Sequence, residues 1–249
     1  MACIGGRNMK KWVKGAAFAL GCAVLIFIFT YHFLDDDSWR SWNMPLSGKI
    51  IVIDPGHGGA DGGAVGDGEV LEKEIALNIS VLLRDYLQEA GALVIMTRET
   101  DTDLANEGTK KLRHRKYEDL KERKRIINEN HADLFISIHL NSLPSSRWRG
   151  AQVFYHPGKE DGEAVSKFIQ DEIKRNLNNT NRFAKSIEGL YLLRTAEVPG
   201  ALVEVGFLSN PSERELLKTE SYQKSIAAAI YQGMLRFYTN ETPPASPLD

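Results

Sequence analysis

Short apolar runs alternate with amphipathic helical segments from Lys49 to Tyr238, and this alternation constrains the fold more than any other feature of the chain. Continuous apolar runs of four or five residues predict strands that are buried on both faces of a sheet. The predicted strands are 49–53, 92–96, 134–138, 151–155, 190–193 and 201–205. Between them, apolar residues at helical spacing predict helices over 71–90, 117–130 and 163–177, one starting at Asn210, and a last one spanning 222–237. The pattern predicts a single α/β domain with a central, largely parallel twisted sheet flanked by helices on both faces.

An apolar run of twenty residues, 15–34, precedes this domain. A helix of that length covers about 30 Å, the thickness of one hydrocarbon core. Four basic residues precede the run and three aspartates follow it. Because basic residues stay on the cytoplasmic side, we expect one N-terminal transmembrane helix with the domain outside the cytoplasm. The alternative is a cleaved signal and a secreted domain, although 30–34 (TYHFL) has no small-residue cleavage site.

These patterns divide the chain into five segments. We predict a cytoplasmic basic segment at 1–14, the anchor or signal at 15–34, a juxtamembrane linker at 35–47, the folded domain at 48–240 and a disordered, proline-containing tail at 241–249. The domain shows no internal repeat, so one domain is the simplest interpretation.

Charge and cysteine content exclude several classes of protein. The formal net charge of -2 gives no electrostatic reason to expect nucleic-acid binding. The two cysteines, Cys3 and Cys22, both precede the predicted domain, which excludes a disulfide scaffold or a thiolate zinc site within it. The basic cluster 110–125 is interrupted by acidic residues, and we interpret it as a solvated amphipathic helix.

Three candidate functional side chains follow or end predicted strands. His57 lies in the glycine-rich segment 54–59 (DPGHGG), His139 follows the strand 134–138, and Glu204 lies near the end of 201–205. In open α/β sheets, ligands bind beyond the carboxyl ends of the strands. We therefore expect the three side chains to meet at one edge of the sheet.

A fourth candidate, Glu72, begins the first predicted helix of the domain. It lies on the apolar stripe of Ile75 and Ile79, whereas Glu74 should face water. His57, Glu72 and His139 form a set of two histidines and one carboxylate, the ligand type of a catalytic zinc site with an open position. Glu204 would then serve as general base, because a nearby metal would offset the cost of burying its carboxylate.

Other interpretations of these residues remain open from spacing alone. A histidine at a strand end is often structural, and the GHGG segment resembles part of a phosphate-binding loop. The chain contains neither the P-loop pattern nor a proper GxGxxG, nor the HExxH motif of many zinc peptidases, nor the GxSxG elbow of serine hydrolases.

Four ordered blocks of the sequence resemble one known family. These blocks are 54–59 (DPGHGG), 71–73 (LEK), 137–141 (SIHLN) and 203–210 (VEVGFLSN). They resemble the zinc-dependent N-acetylmuramoyl-L-alanine amidases, and the resemblance spans Lys49 to Tyr238. It implies Zn²⁺ bound by His57, Glu72 and His139, with Glu204 as the catalytic residue. The implied substrate is peptidoglycan, cleaved at the amide between the lactyl group of N-acetylmuramic acid and L-alanine.

Within that family the chain is similar to the membrane-anchored, germination-specific amidases of spore-forming bacteria. The shared features are the single anchor, the segments 37–39 (DSW) and 96–99 (MTRE), and a catalytic domain without wall-binding repeats. This likeness implies a role in spore cortex maturation, where removal of stem peptides leads to muramic δ-lactam. An activating partner protein is left open. So are three alternatives: a non-catalytic peptidoglycan-binding protein, a zinc peptidase that acts on crosslinks, and an anchored anion-binding module.

Overall fold

The structure is a computed structural model that describes residues 5–33, 44–239 and 241–245. The chain divides into two compact units with the boundary after Met44. The first unit contains helix α1 (Gly5–Phe33), which includes all of the predicted anchor except residue 34. Within the described ranges, no helix has both the length and the apolar character of a membrane span. Most of the predicted linker 35–47, and residues 1–4, 240 and 246–249 of the other predicted segments, lie outside the described residues.

The second unit is built on a sheet of six strands in its described part. Its strands are β1 (Ile50–Pro55), β4 (Leu93–Met96), β5 (Leu134–Asn141), β6 (Gln152–Tyr155), β7 (Lys185–Ser186) and β8 (Gly200–Phe207). Their order is β4-β1-β5-β8-β6-β7. The first four strands in that order are parallel, β6 runs antiparallel to β8, and β7 runs parallel to β6. The predicted largely parallel sheet is therefore confirmed. A separate antiparallel hairpin pairs β2 (Val65–Gly66) with β3 (Val70–Leu71).

Helices cover both faces of this sheet. They are α2 (Glu72–Glu89), α3 (Leu112–Glu129), α4 (Glu160–Leu177), α5 (Tyr191–Thr195), α6 (Pro211–Leu217) and α7 (Glu220–Tyr238). One buried cluster joins Ile51 and Ile53 of β1 to residues of α2, α4 and α7. A second cluster joins Val52 of β1 to Ile127 of α3 and Leu192 of α5. Because successive strand side chains point to opposite faces, the two clusters lie on opposite sides of the sheet.

The predicted strand at 190–193 is wrong, because Leu190 is the N-cap of helix α5 and residues 191–193 lie within that helix. Leu192 and Leu193 are both buried, and they pack in the second cluster with Ile127. A run of four apolar residues fits a strand and a short buried helix equally well, and periodicity cannot separate the two. The predicted helix start at Asn210 is confirmed: the Asn210 side chain accepts a hydrogen bond from the Glu213 backbone N–H, and Pro211 is the first residue of α6.

The parallel strands bring three chain segments to one edge of the sheet. β1, β5 and β8 are neighbours, and their carboxyl ends lie side by side. Residues alternate between faces, so Asp54, His139 and Glu204 share the face covered by α3 and α5. Helix α2 begins with Glu72 directly after strand β3.

Candidate metal centre

His57, Glu72 and His139 meet in one cluster, as predicted. Each offers a ligand atom that lies within 4.8 Å of the other two. His57 Nε2 is 3.2 Å from Glu72 Oε2, and His139 Nδ1 is 2.9 Å from Glu72 Oε1. The two imidazole rings meet edge to face, with centroids 5.1 Å apart. The carboxylate therefore lies between the two rings.

Glu72 is held in place by backbone donors as well as by the imidazoles. Its side chain is almost fully buried; Oε2 accepts from Ala64 N at 2.6 Å and Oε1 accepts from Leu140 N at 2.9 Å. Burial opposes ionisation, but the hydrogen bonds from His139 and His57 hold the pKa of Glu72 well below its usual range. Glu72 is thus an ionised carboxylate, as a metal ligand must be. Glu74 on the same helix is exposed, as predicted.

His57 is fixed from both its ring and its backbone. Its Nδ1 is 2.9 Å from Asp61 Oδ2, so the opposite nitrogen, Nε2, faces Glu72. Burial alone would lower the pKa of His57, but the hydrogen bonds to Asp61 and Glu72 raise it to about 9. The residue adopts a left-handed backbone conformation with φ of 61°. Arg123 Nη2 donates to the His57 carbonyl at 2.5 Å, which stabilises this conformation.

A buried ion pair between Arg123 and Asp54 stabilises the glycine-rich segment 54–59, which carries His57. Arg123 Nη1 lies 2.7 Å from Asp54 Oδ1, and the same group donates to the Pro55 carbonyl at 2.7 Å. Burial would raise the pKa of Asp54, but Arg123 and the Ser137 hydroxyl together lower it to about 2. Arg123 is only 1% exposed, so the interpretation of 110–125 as a solvated helix is wrong at this residue. Its charge is buried because Asp54 and Asp119 both pair with it.

Two glycines let the three candidate ligands approach the backbone closely. A Cβ on Gly56 would lie 2.5 Å from the His139 ring. A Cβ on Gly63, where φ is +71°, would lie 2.6 Å from Glu72 Oε2 and 2.7 Å from the His57 ring. Side chains at these positions would displace the ligands, so the glycine-rich segment has a packing role at the site itself.

Glu204 lies beside this cluster. It is the register partner of His139 on the neighbouring strand. Its Oε2 is buried, and no described residue donates a hydrogen bond to it. Burial raises the pKa of Glu204 to about 7, since the favourable effect of His139 offsets burial only in part. A carboxyl group with such a pKa can both accept and donate a proton near neutral pH.

A cavity of about 170 Å³ opens next to both imidazoles. Its lining includes His57, His139, Asp61, Lys116 and Leu192. The cluster therefore has space beside it for a substrate group. Two imidazoles and one carboxylate are suitable ligands for a divalent metal, and they leave a coordination position free. The free Oε2 of Glu204 fits a metal centre of this kind because a water there would supply its missing hydrogen bond.

Sequence reasoning missed the residues that surround the ligands. Asp61 follows His57 by four residues, and this closeness in sequence could have indicated that its carboxylate contacts the imidazole. Arg123 lies on the same helical stripe as Leu120 and Ile127, which indicated an inward-facing position. Arg98 belongs to the segment 96–99 (MTRE), but nothing in the sequence indicated its contacts: it donates to the carbonyls of Pro55 and Gly56, which lie 43 and 42 residues earlier in the chain.

The chain is similar to proteins of one family over most of its length. The model of the N-acetylmuramoyl-L-alanine amidase family Amidase_3 matches residues 51–236. A germination-specific N-acetylmuramoyl-L-alanine amidase of Bacillus subtilis is 56% identical over 236 residues, which cover 95% of this chain and 99% of that protein.

Solved structures show the same likeness. The CwlD amidase from Clostridioides difficile, solved in complex with the GerS lipoprotein, has a TM-score of 0.76 and 43% identity, covering 78% of this chain and 100% of that one. The N-acetylmuramoyl-L-alanine amidase AmiC2 of Nostoc punctiforme has a TM-score of 0.67 and 30% identity, covering 78% of this chain and 99% of that one.

Proposed function

Because the chain belongs to the Amidase_3 family and is an N-acetylmuramoyl-L-alanine amidase, we propose that it uses Zn²⁺. His57, Glu72 and His139 would hold the metal, and Glu204 would be the catalytic residue. The observation that carries this proposal is the meeting of the three candidate ligand atoms beside Oε2 of Glu204, which is buried and accepts no hydrogen bond from any residue that the structure describes. Two histidines and a carboxylate are a ligand set found in catalytic zinc hydrolases.

The reaction is hydrolysis of the amide that joins the lactyl group of N-acetylmuramic acid to L-alanine. When bound, zinc would polarise the scissile carbonyl and lower the pKa of water at its open position toward ~7. Glu204 would accept a proton from the attacking water and deliver it to the nitrogen of the leaving L-alanine. The Glu72 carboxylate, fixed by the backbone N–H groups of Ala64 and Leu140, would hold the metal between the two imidazoles. The products are a free lactyl carboxylate and a peptide with a free amino terminus.

Digestion of purified peptidoglycan by the full chain in mild detergent tests this function. We expect mass spectrometry to detect intact stem peptides that begin with L-alanine. A chelator should abolish the reaction and added Zn²⁺ should restore it. Cleavage within the peptide crosslinks would instead indicate a peptidase, and bound zinc without any cleavage would indicate a binding protein.

We further propose that the substrate is spore cortex peptidoglycan, as the name of the Bacillus subtilis relative suggests. Hydrolysis there would leave muramic acid with a free lactyl carboxylate. Closure of the δ-lactam joins this carboxylate to the 2-amino nitrogen with loss of water, so the acetyl group on that nitrogen must be removed first. The amidase would thus supply one of two required reactions. Cortex from a strain without this protein should contain no muramic δ-lactam, and its presence would contradict the proposal.

For the N-terminal segment we propose a membrane anchor that leaves the catalytic domain outside the cytoplasm. The support is the apolar run 15–34 between basic and acidic flanks, together with the exposure of large apolar side chains on α1 such as Trp12 and Phe18. Exposed apolar surface of this extent marks a protein or membrane interaction surface, and the basic and acidic flanks favour a membrane.

Fractionation of cells that express the full chain tests the anchor. We expect the protein in the membrane fraction after an alkaline wash, and we expect Leu25→Arg with Ile26→Arg to release it. Recovery of a shortened chain from the medium, with a new amino terminus near residue 34, would indicate a cleaved signal instead.

The Clostridioides difficile relative was solved with a lipoprotein bound. On that basis we propose that this chain also acts with a partner protein in the envelope. Activity of the purified chain on cortex fragments at the rate measured in a cell extract would contradict this requirement.

A further inference from the structure

A second carboxylate, Asp61, contacts His57 on the side of the ring that points away from Glu72. Asp61 Oδ2 lies 2.9 Å from His57 Nδ1. Its other oxygen, Oδ1, accepts from Gly63 N at 3.1 Å and from Lys116 Nζ at 2.8 Å. The Asp61 side chain is 18% exposed, so it is largely shielded from water. Both oxygens are therefore occupied, and the carboxylate has one well-defined orientation.

We propose that Asp61, held by Lys116, is a positioning residue that fixes the tautomer and ring orientation of His57. This inference rests on the proposed zinc site. A carboxylate accepts only, so Asp61 keeps a hydrogen on His57 Nδ1, and Nε2, which faces Glu72 and His139, is the nitrogen left to bind the metal once its own hydrogen is lost. Metal-bound histidines commonly donate their second ring nitrogen in this way, and the partner increases the basicity of the ligand.

Asp61 also accepts from the Gly63 backbone N–H, but other residues hold the backbone from Gly56 to Gly59. Asp101 Oδ1 accepts from Gly59 N at 2.9 Å, and Arg123 and Arg98 bind the carbonyls of His57 and Gly56. These anchors remain when Asp61 is replaced. Removal of Asp61 should therefore free the ring of His57, while the backbone from Gly56 to Gly59 keeps its conformation.

Lys116 acts on His57 only through Asp61. It projects from α3 with its side chain 45% exposed, and it contacts Oδ1 of Asp61. Ion pairs exposed to this degree contribute little to stability. Loss of Lys116 should leave the fold intact and loosen Asp61, with a smaller effect on the metal than loss of Asp61 itself.

The test measures zinc affinity of the full chain in detergent by competition with a chromophoric chelator. Asp61→Ala should weaken zinc binding about 10- to 100-fold, the range typical of lost outer-shell partners. Asp61→Asn keeps an oxygen that accepts from Nδ1–H, but its NH2 group would face the donors Gly63 N and Lys116 Nζ, so it should recover only part of this loss. Lys116→Ala should weaken binding less than Asp61→Ala does. The matched control is Asp101→Ala, which removes a carboxylate that binds the same loop without touching a ligand, and it should bind zinc as the wild type does.

Two spectroscopic measurements complete the test. The visible absorption of the Co²⁺-loaded chain should change in Asp61→Ala and stay unchanged in Asp101→Ala. In the zinc-loaded wild type, ¹⁵N NMR should show His57 protonated at Nδ1 and coordinated through Nε2, a readout that needs no variant. Thermal unfolding of the metal-free variants shows whether each one folds.

Several outcomes would overturn the inference. Wild-type zinc affinity in Asp61→Ala, an equal loss in Asp101→Ala, or coordination through Nδ1 would each remove the positioning role while leaving the amidase proposal intact. Absence of zinc binding by the wild type would overturn the proposed metal centre, and the role of Asp61 with it.

Discussion

Glu204 pairs in register with His139 across two neighbouring parallel strands, β8 and β5. Both side chains lie on the same face of the sheet, and Oε2 of Glu204 is buried without a hydrogen-bond partner among the described residues. Paired strands hold their residues at a fixed spacing. The proposed base and a proposed metal ligand are therefore positioned by the sheet itself, which gives more precise placement than a loop.

Glu204→Gln should lower turnover by at least about 10²-fold, the lower range for loss of a general acid–base group. The amide has the shape of the carboxyl group but cannot take up the proton. Zinc content measured by atomic absorption should stay at the wild-type level, because Glu204 is not among the three grouped ligands. Turnover near the wild-type rate would show that another group acts as base.

Glu72→Gln should reduce zinc affinity sharply, since a neutral amide is a much poorer ligand than an ionised carboxylate. Titration with a chelator measures this loss. Glu74→Gln is the matched control, because it makes the same change on the exposed face of helix α2. If the two variants bound zinc equally well, Glu72 would not be a ligand.

Gly63→Ala should weaken zinc binding, because the added methyl would press on Glu72 and the His57 ring. Gly68→Ala is the control: its φ of +77° imposes similar backbone strain, but its Cβ would meet nothing within 4 Å. Both changes should cost about 1–2 kcal/mol of folding free energy through left-handed strain. Only Gly63→Ala should affect the metal, and equal zinc affinity in the two variants would contradict this account.

Asp54→Asn should destabilise the fold by up to about 3–5 kcal/mol at pH 7, because the buried charge of Arg123 loses one of its two carboxylate partners and keeps only Asp119. The folded-state pKa of Asp54, about 2, lies below the ordinary value of 3.8. A lowered pKa adds stability that is fully present above the unfolded pKa and is lost as the pH falls through the folded pKa. The difference between the wild type and Asp54→Asn should therefore shrink between about pH 4 and pH 2.

Urea unfolding at several pH values measures this difference. Asp85→Asn breaks an exposed ion pair with Arg84 and should change the free energy of unfolding by no more than about 1 kcal/mol. A difference for Asp54→Asn that stays constant down to pH 2 would show that Asp54 is not ionised in the folded protein.

Much of the fold follows from local pattern. The runs 49–53, 134–138 and 201–205 became the three central strands because continuous apolar residues are needed where both sheet faces are covered. The run 190–193 was misassigned because a buried strand and a buried helix of only four residues both consist of apolar residues, and no periodicity separates them at that length. Strands β2 and β7 have two residues each, too few to show any period.

The positions of the four candidate site residues were predictable from the sequence, whereas the residues that support them were not. Strand ends and the apolar stripe of α2 locate His57, His139, Glu204 and Glu72 by rules that act within one element. Arg123 pairs with Asp54 across 69 residues of chain, and neither local segment shows that pairing. Charged residues far apart in sequence meet only through the tertiary fold, so the ion pairs behind the candidate ligands could be found only in the structure.

The hairpin of β2 and β3 ends at Leu71, and the carboxylate of the cluster comes from the next residue. A helix turns by about 100° per residue. An insertion or deletion of one residue between 65 and 71 would therefore rotate a different side chain of α2 into the place of Glu72, unless the turn absorbed the change. This hairpin contributes no reactive group, yet its length determines which residue of helix α2 reaches the two imidazoles.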